Sequence, residues 1–108
     1  MCRATKSTDS AALYLAVLRL GAIYVPLNPS YTTSETAHFV DDAKPKLFVS
    51  SEFQSDITFK ESVNQILDEF LLGNEAKKCT PTLDVENVEN GETACILYTS
   101  GTTGNFFN

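Results

Sequence analysis

Tryptophan is absent from the 108 residues, histidine and methionine occur once each, cysteine three times, and only eight Lys and Arg stand against 14 Asp and Glu. Each scarcity excludes something. A net charge of -6 with no basic cluster beyond Lys77-Lys78 provides no positive stripe for displacing counterions from DNA or RNA, so a nucleic-acid partner is disfavoured. Cys2, Cys79 and Cys95 are odd in number and widely spaced, which fits neither a metal-ligand pattern nor a disulfide framework and implies a reducing, intracellular setting, cytoplasmic or mitochondrial. Cys95 sits in an apolar run and is expected to be a small buried residue. His38, the single histidine, has no identifiable acid–base partner and is expected on the surface or in packing.

Long apolar runs are lacking too. None reaches the roughly 18 residues of a membrane-crossing helix. Arg3 and Lys6 before Ala11–Leu18 resemble the start of a signal peptide, but Asp9 interrupts the basic region and Arg19 follows the apolar stretch, so no targeting segment is identified. Gly and Pro are unremarkable at five and four. With 43% of residues hydrophobic, a chain of this length has room for one small core, burying roughly 60–70% of its unfolded surface.

What is present alternates between helix and strand. Ser7, Thr8, Asp9 and Ser10 offer caps for a helix through Ala11–Leu18, apolar almost all round and therefore expected to be covered on more than one side. Gly21 is placed to end it in a left-handed conformation, and Ala22-Ile-Tyr-Val-Pro-Leu27 reads as a short buried strand before the turn Asn28-Pro29-Ser30. Thr32-Thr-Ser-Glu35 is a capping box for a helix from about Thr33 to Asp42, burying Ala37, Phe39 and Val40, with Pro45 barring its continuation. Lys46–Ser50 is the next strand, and strand–helix–strand within about 30 residues predicts a βαβ unit with parallel strands. Val63, Ile66, Leu67, Phe70 and Leu71 follow the spacing of one helical face, predicting an amphipathic helix over 60–72 that ends at Gly73. Residues 74–92 are polar and acidic and predict a surface connection with few packing contacts. Thr93–Tyr98 is the third predicted strand, which makes the fold class α/β, a partial parallel sheet with flanking helices.

The third strand runs into Thr99-Ser-Gly-Thr-Thr-Gly104, and the chemistry lies at that junction. Glycines let successive backbone N–H groups turn toward one point, and Ser and Thr hydroxyls add rotatable donors, which together suit an anion. Hydrogen bonds to a charged oxygen contribute about 1.5–3 kcal/mol each, so three or four in a fixed loop would hold a polyphosphate. The Walker pattern is absent: Gly101 and Gly104 are separated by two residues, not four, and no Lys follows Gly104. Taken alone, such a run is more often a flexible linker.

Tyr98-Thr-Ser-Gly-Thr-Thr-Gly104 resembles the phosphate-binding signature of the adenylate-forming (AMP-binding) superfamily, and the resemblance extends to Ala12–Tyr31 and to Glu35–Val49. Among its branches the Ala12-Leu-Tyr-Leu run, Pro26-Leu-Asn28 and Tyr31-Thr32 look most like the malonyl-CoA synthetases of the acyl-CoA synthetase branch. The resemblance implies the large N-terminal domain of these enzymes and a ligation in two steps: a carboxylate joins AMP with release of pyrophosphate from Mg2+-ATP, and the acyl group then passes to the thiol of coenzyme A. It assigns 98–104 as the phosphate loop, with Ser100, Thr102 and Thr103 as side-chain donors and Thr99, Gly101 and Gly104 completing the contact with the β- and γ-phosphates.

The family pattern continues with a lysine-containing segment, whereas Asn105-Phe-Phe-Asn108 supplies no cation, which counts against ATP binding by these residues alone. The family's adenine, ribose, magnesium and acyl-binding motifs have no counterpart, so no catalytic or metal-binding residue is assigned. The resemblance thus implies a partial domain, incomplete at both ends and inactive by itself. Two alternatives remain from the residues: a non-catalytic chain associating through exposed sheet edges, and a weak nucleotide-binding module.

Overall fold

A computed structural model describes residues 1–50, 63 and 65–99. The described elements are β1 (Cys2–Arg3), α1 (Thr8–Arg19), α2 (Thr33–Ala43), β2 (Leu47–Ser50), β3 (Gln65–Asp68), a 3-10 turn (Glu69–Leu71) and α3 (Leu72–Lys77). The strands form one parallel sheet in the order β1-β2-β3, with Cys2 opposite Val49 and Phe48 opposite Ile66. The fold class is α/β.

Two ribbons extend the sheet beyond β1. Pro26 bridges Cys2, and Tyr24 in turn bridges Cys95, both in parallel sense. The amide of Cys2 donates to the Val25 carbonyl and the amide of Leu27 to the Cys2 carbonyl, each at 2.8 Å. The predicted strands at 22–27 and 93–98 are therefore sheet ribbons held by single bridges. The predicted βαβ neighbours, 22–27 and 46–50, are parallel to the same sheet but separated by β1. A two-residue strand carries no periodicity, and the sequence gives no warning of it.

Both helix starts follow their caps. The Ser7 hydroxyl accepts from the Ser10 amide while the Ser10 hydroxyl accepts from the Ser7 amide, both at 3.0 Å. At α2 the Thr32 hydroxyl accepts from the Glu35 amide (3.2 Å) and the Glu35 carboxylate accepts from the Thr32 amide (2.8 Å). These bonds hold the Glu35 carboxyl below its ordinary range. Lys44 closes α2 in the left-handed region at φ 46°, and Pro45 prevents resumption.

The core lies between α2 and the sheet. Leu27, Phe39, Val40, Phe48 and Val63 form it, with Tyr31, Ala37 and Tyr98 packed against its side. Arg3 is buried at the other end of β1, and its guanidinium donates to the carbonyls of Pro29 (3.1 Å) and Tyr31 (2.7 Å), which fixes the turn ahead of α2. Charged donors of this kind are stronger than neutral ones.

Four expectations are corrected. The predicted amphipathic helix over 60–72 is replaced, in its described part, by β3 and the 3-10 turn. A short apolar run satisfies helical and extended spacing alike, and pairing with buried β2 decides for strand. Phe70 and Leu71, expected on its buried face, are 68% and 50% exposed. The Asp68 carboxylate accepts from the Phe70 amide at 2.9 Å and turns the chain, and Gly73 lies inside α3 rather than ending a helix. Finally, α1 has no buried residue and Leu15 is 59% exposed, so its apolar circumference is not covered from several sides by described elements.

The 74–92 segment begins with the end of α3 and continues without regular structure, exposed almost throughout. Its contact with α1 is specific. Arg19 donates to the carbonyls of Thr82 (3.2 Å) and Asp84 (3.0 Å), and the Glu86 amide donates back to the Arg19 carbonyl (2.7 Å). Gly21, left-handed at φ +68°, lies against it: a Cβ there would stand 2.9 Å from Val88 Cγ1. Gly91 is also left-handed (φ +97°) but has open space around it. Gly91→Ala is therefore expected to cost only the backbone strain, about 1–2 kcal/mol, and Gly21→Ala more than that because of the added overlap, as urea unfolding of the two variants would measure.

Candidate functional site

The ribbon that leads to the predicted phosphate loop is held first by its backbone. The Tyr24 amide donates to the Ala94 carbonyl (2.9 Å) and the Ile96 amide to the Tyr24 carbonyl (3.0 Å). Val25 and Leu27, on the partner ribbon, are buried, whereas the 93–97 side carries an exposed Cys95, Ile96 at 38% and Leu97 at 71% exposure. The expectation of a buried Cys95 is thus corrected. One bridge aligns this ribbon with the sheet, but no described element covers its outer side.

Tyr98 changes the character of the segment. Its ring lies 4.5 Å, centroid to centroid, from that of Phe39, which contacts Tyr31 on another side at 5.1 Å. Aromatic pairs at such separations are favourable beyond the area they bury. The Tyr98 hydroxyl donates to Asp42 Oδ2 at 2.6 Å. Partial burial and this hydrogen bond to a carboxylate push the phenol up to about 12. Tyr24, half-buried beside Tyr14 and hydrogen-bonded to Cys2, is likewise pushed up, mainly by burial. His38 is exposed and turns its ring edge-on to Phe39 at 5.8 Å.

Of the predicted phosphate-loop residues, Thr99 is described and exposed, immediately after the Tyr98 anchor. Ser100, Gly101, Thr102, Thr103 and Gly104 lie outside the described residues. Asp42 and Phe39, which hold the approach to the loop, were not singled out from sequence as site residues. The one available signal was an acidic pair, Asp41-Asp42, in the last turn of a helix with no basic companion, where carboxylates are electrostatically out of place. Among the described residues no group of three or more His, Cys, Asp or Glu gathers to hold a metal ion. No helix among them is long and apolar enough to cross a membrane.

Comparison with known proteins bears on the whole chain. Residues 3–105 match the family model of the AMP-binding enzymes. The 4-coumarate–CoA ligase-like 8 protein of Oryza sativa subsp. japonica is 38% identical over 99 residues, covering 86% of this chain and 16% of that protein. A dimodular nonribosomal peptide synthase of Bacillus subtilis (strain 168) is 31% identical over 104 residues, covering 92% of this chain and 4% of the synthase. Among solved structures, apo and ATP-bound MatB from Rhodopseudomonas palustris superpose with TM-scores of 0.82 and 0.81 at 32% and 33% identity. Each superposition covers 95% of this chain and 22% of MatB. The chain thus spans less than a quarter of the length of each of these relatives.

The raised phenols give the fold a direction in alkali. A phenol whose folded pKa exceeds its unfolded value contributes stability that is complete below pH 10 and is lost as pH rises through the folded value, about 12 for Tyr98. Urea midpoints are accordingly expected to fall between pH 10 and 12, and to fall less steeply in Tyr98→Phe.

Proposed function

The chain belongs to the AMP-binding enzyme family, and from that premise we propose that it carries the phosphate-loop part of an ATP-dependent acid–CoA ligase. The reading rests on one observation above the others: the chain superposes over 95% of its length on ATP-bound MatB at TM-score 0.81, and in its sequence the ribbon is followed directly by Thr99-Ser-Gly-Thr-Thr-Gly104. In this reading the parent reaction joins a carboxylate to the α-phosphate of ATP, releases pyrophosphate, and passes the acyl group to coenzyme A. The carboxylate is a poor acyl donor until adenylation provides a leaving group. Malonate is the acid favoured by the likeness of Ala12–Thr32 to malonyl-CoA synthetases.

The loop's part is electrostatic. As the bond between the α- and β-phosphates breaks, negative charge gathers on the departing pyrophosphate, and donors already aimed at it stabilise that charge without reorganising. Ser100, Thr102 and Thr103 supply hydroxyl donors, while Thr99, Gly101 and Gly104 bring backbone N–H groups close. Magnesium, when bound with the nucleotide, neutralises phosphate charge, and no residue of this chain is assigned to it. The 108 residues alone are inactive in this reading: they match 22% of MatB, and the resemblance assigns none of them to acid or coenzyme A binding.

The test is a chimaera in which residues 3–105 replace the matching stretch of Rhodopseudomonas palustris MatB, with a shorter swap of 93–104 if the first does not fold. Pyrophosphate release dependent on ATP and malonate is expected from the chimaera and not from the 108-residue chain. Thr103→Ala in the chimaera should lower turnover by roughly 10²-fold. A folded short swap without release, or turnover undiminished by removal of the loop hydroxyls, would refute the reading.

A further inference from the structure

Asp41 and Asp42 occupy the last turn of α2, where no basic residue accompanies them. Carboxylates there face the negative end of the helix dipole, so local electrostatics argue against both. Asp42 has a partner that offsets this disadvantage. Its Oδ2 accepts the Tyr98 hydroxyl at 2.6 Å across 56 residues of sequence, a length typical of O–H donors on ionised oxygen. Asp41 is one residue earlier, about 100° around the helix, and does not share the contact.

Tyr98 immediately precedes the Thr99–Gly104 signature. The ribbon's backbone bonds to Tyr24 end at Ile96, and the next anchor along it is the Tyr98 side chain, ring against Phe39 and hydroxyl on Asp42. With ring and hydroxyl both held, the Tyr98 side chain restricts how the backbone can deliver Thr99. We propose that Asp42 is a positioning residue for the phosphate loop, fixing through the Tyr98 hydroxyl the direction in which the chain runs into Thr99–Gly104. The inference rests on the phosphate-loop reading of those six residues. Its physical basis is preorganisation: an anion-binding loop with a fixed root loses less conformational freedom when its donors converge.

The first test uses the whole 108-residue chain with 13C-labelled tyrosine. Asp42→Ala is expected to bring the Tyr98 titration down from about 12 toward the ordinary value of 10 and to shift the amide resonances of Thr99 to Gly104. Asp41→Ala, which removes the same charge from the same turn, should move neither, and Asp42→Glu should restore part of both. In the MatB chimaera, Asp42→Ala is expected to raise the KM for ATP about tenfold, the equivalent of one hydrogen bond, with the KM for the acid unchanged. Loop amides indifferent to Asp42→Ala, an equal response to Asp41→Ala, or an unchanged ATP KM in an active chimaera would each overturn the inference. An inactive parent chimaera counts against the ligase reading instead, and the amide comparison in the 108-residue chain still decides the role of Asp42.

Discussion

Leu47–Ser50 pairs in parallel on both edges, with Cys2–Arg3 on one side and Gln65–Asp68 on the other, and the rest of the structure follows from keeping that strand dry. Phe48, Val49 and Ser50 are at most 2% exposed. Parallel neighbours cannot be joined by a hairpin, so the chain must leave the sheet between them and return. The route from β1 to β2 carries α1, the 22–27 ribbon and α2. Of these, α2 sets Phe39 and Val40 into the core with Phe48, and the ribbon contributes Leu27. The chain's return also places Arg3 where it holds the carbonyls of Pro29 and Tyr31, so the turn before α2 is fixed from the sheet itself.

Sequence reading succeeded where a feature is decided within a few residues. The cap supplied from Ser7–Ser10, the capping box at Thr32, the left-handed Gly21 and the stop imposed by Pro45 are local chemistry, and all four stand in the structure, where Ser7 is the residue that caps the first helix. It failed where pairing over long distances decides. Cys2–Arg3 is too short to show a period, and Gln65–Asp68 becomes a strand because β2 needs a second edge partner, although its neighbours Val63, Phe70 and Leu71 fit a helical stripe. Cys95 shows the converse case. The apolar run predicts a strand, and the structure bridges Cys95 to Tyr24 there, but composition does not tell whether anything lies over that ribbon, and here Cys95 is exposed.

The candidate site divides along the same line. Thr99–Gly104 stands out in the sequence because an anion-binding loop would need glycine and hydroxyl residues in one consecutive stretch, and of these six only Thr99 lies among the described residues. Its support is not legible, since Asp42 and Tyr98 are brought together only by α2 packing on the sheet. In a linear reading Asp42 is merely a carboxylate on the wrong end of a helix. A residue that breaks a local preference without evident local gain is a sensible place to look for a tertiary role.

Phe39 carries the consequence furthest. Its ring belongs to the core formed with Val40 and Phe48, and it is also the surface against which Tyr98 rests. The loop's root is therefore attached to the most tightly packed part of the sheet rather than to the exposed ribbon from which it emerges. Close-packed side chains transmit displacement because no free volume absorbs it. A change in the packing of α2 on β2 thus reaches Tyr98 through Phe39 and through Asp42 together, one contact apolar and the other a hydrogen bond to a carboxylate. Position along the ribbon is held by the sheet, and the Tyr98 side chain by the Phe39 ring and the Asp42 carboxylate, so the approach to Thr99 is tied to the fold's central strand although Tyr98 does not lie in it.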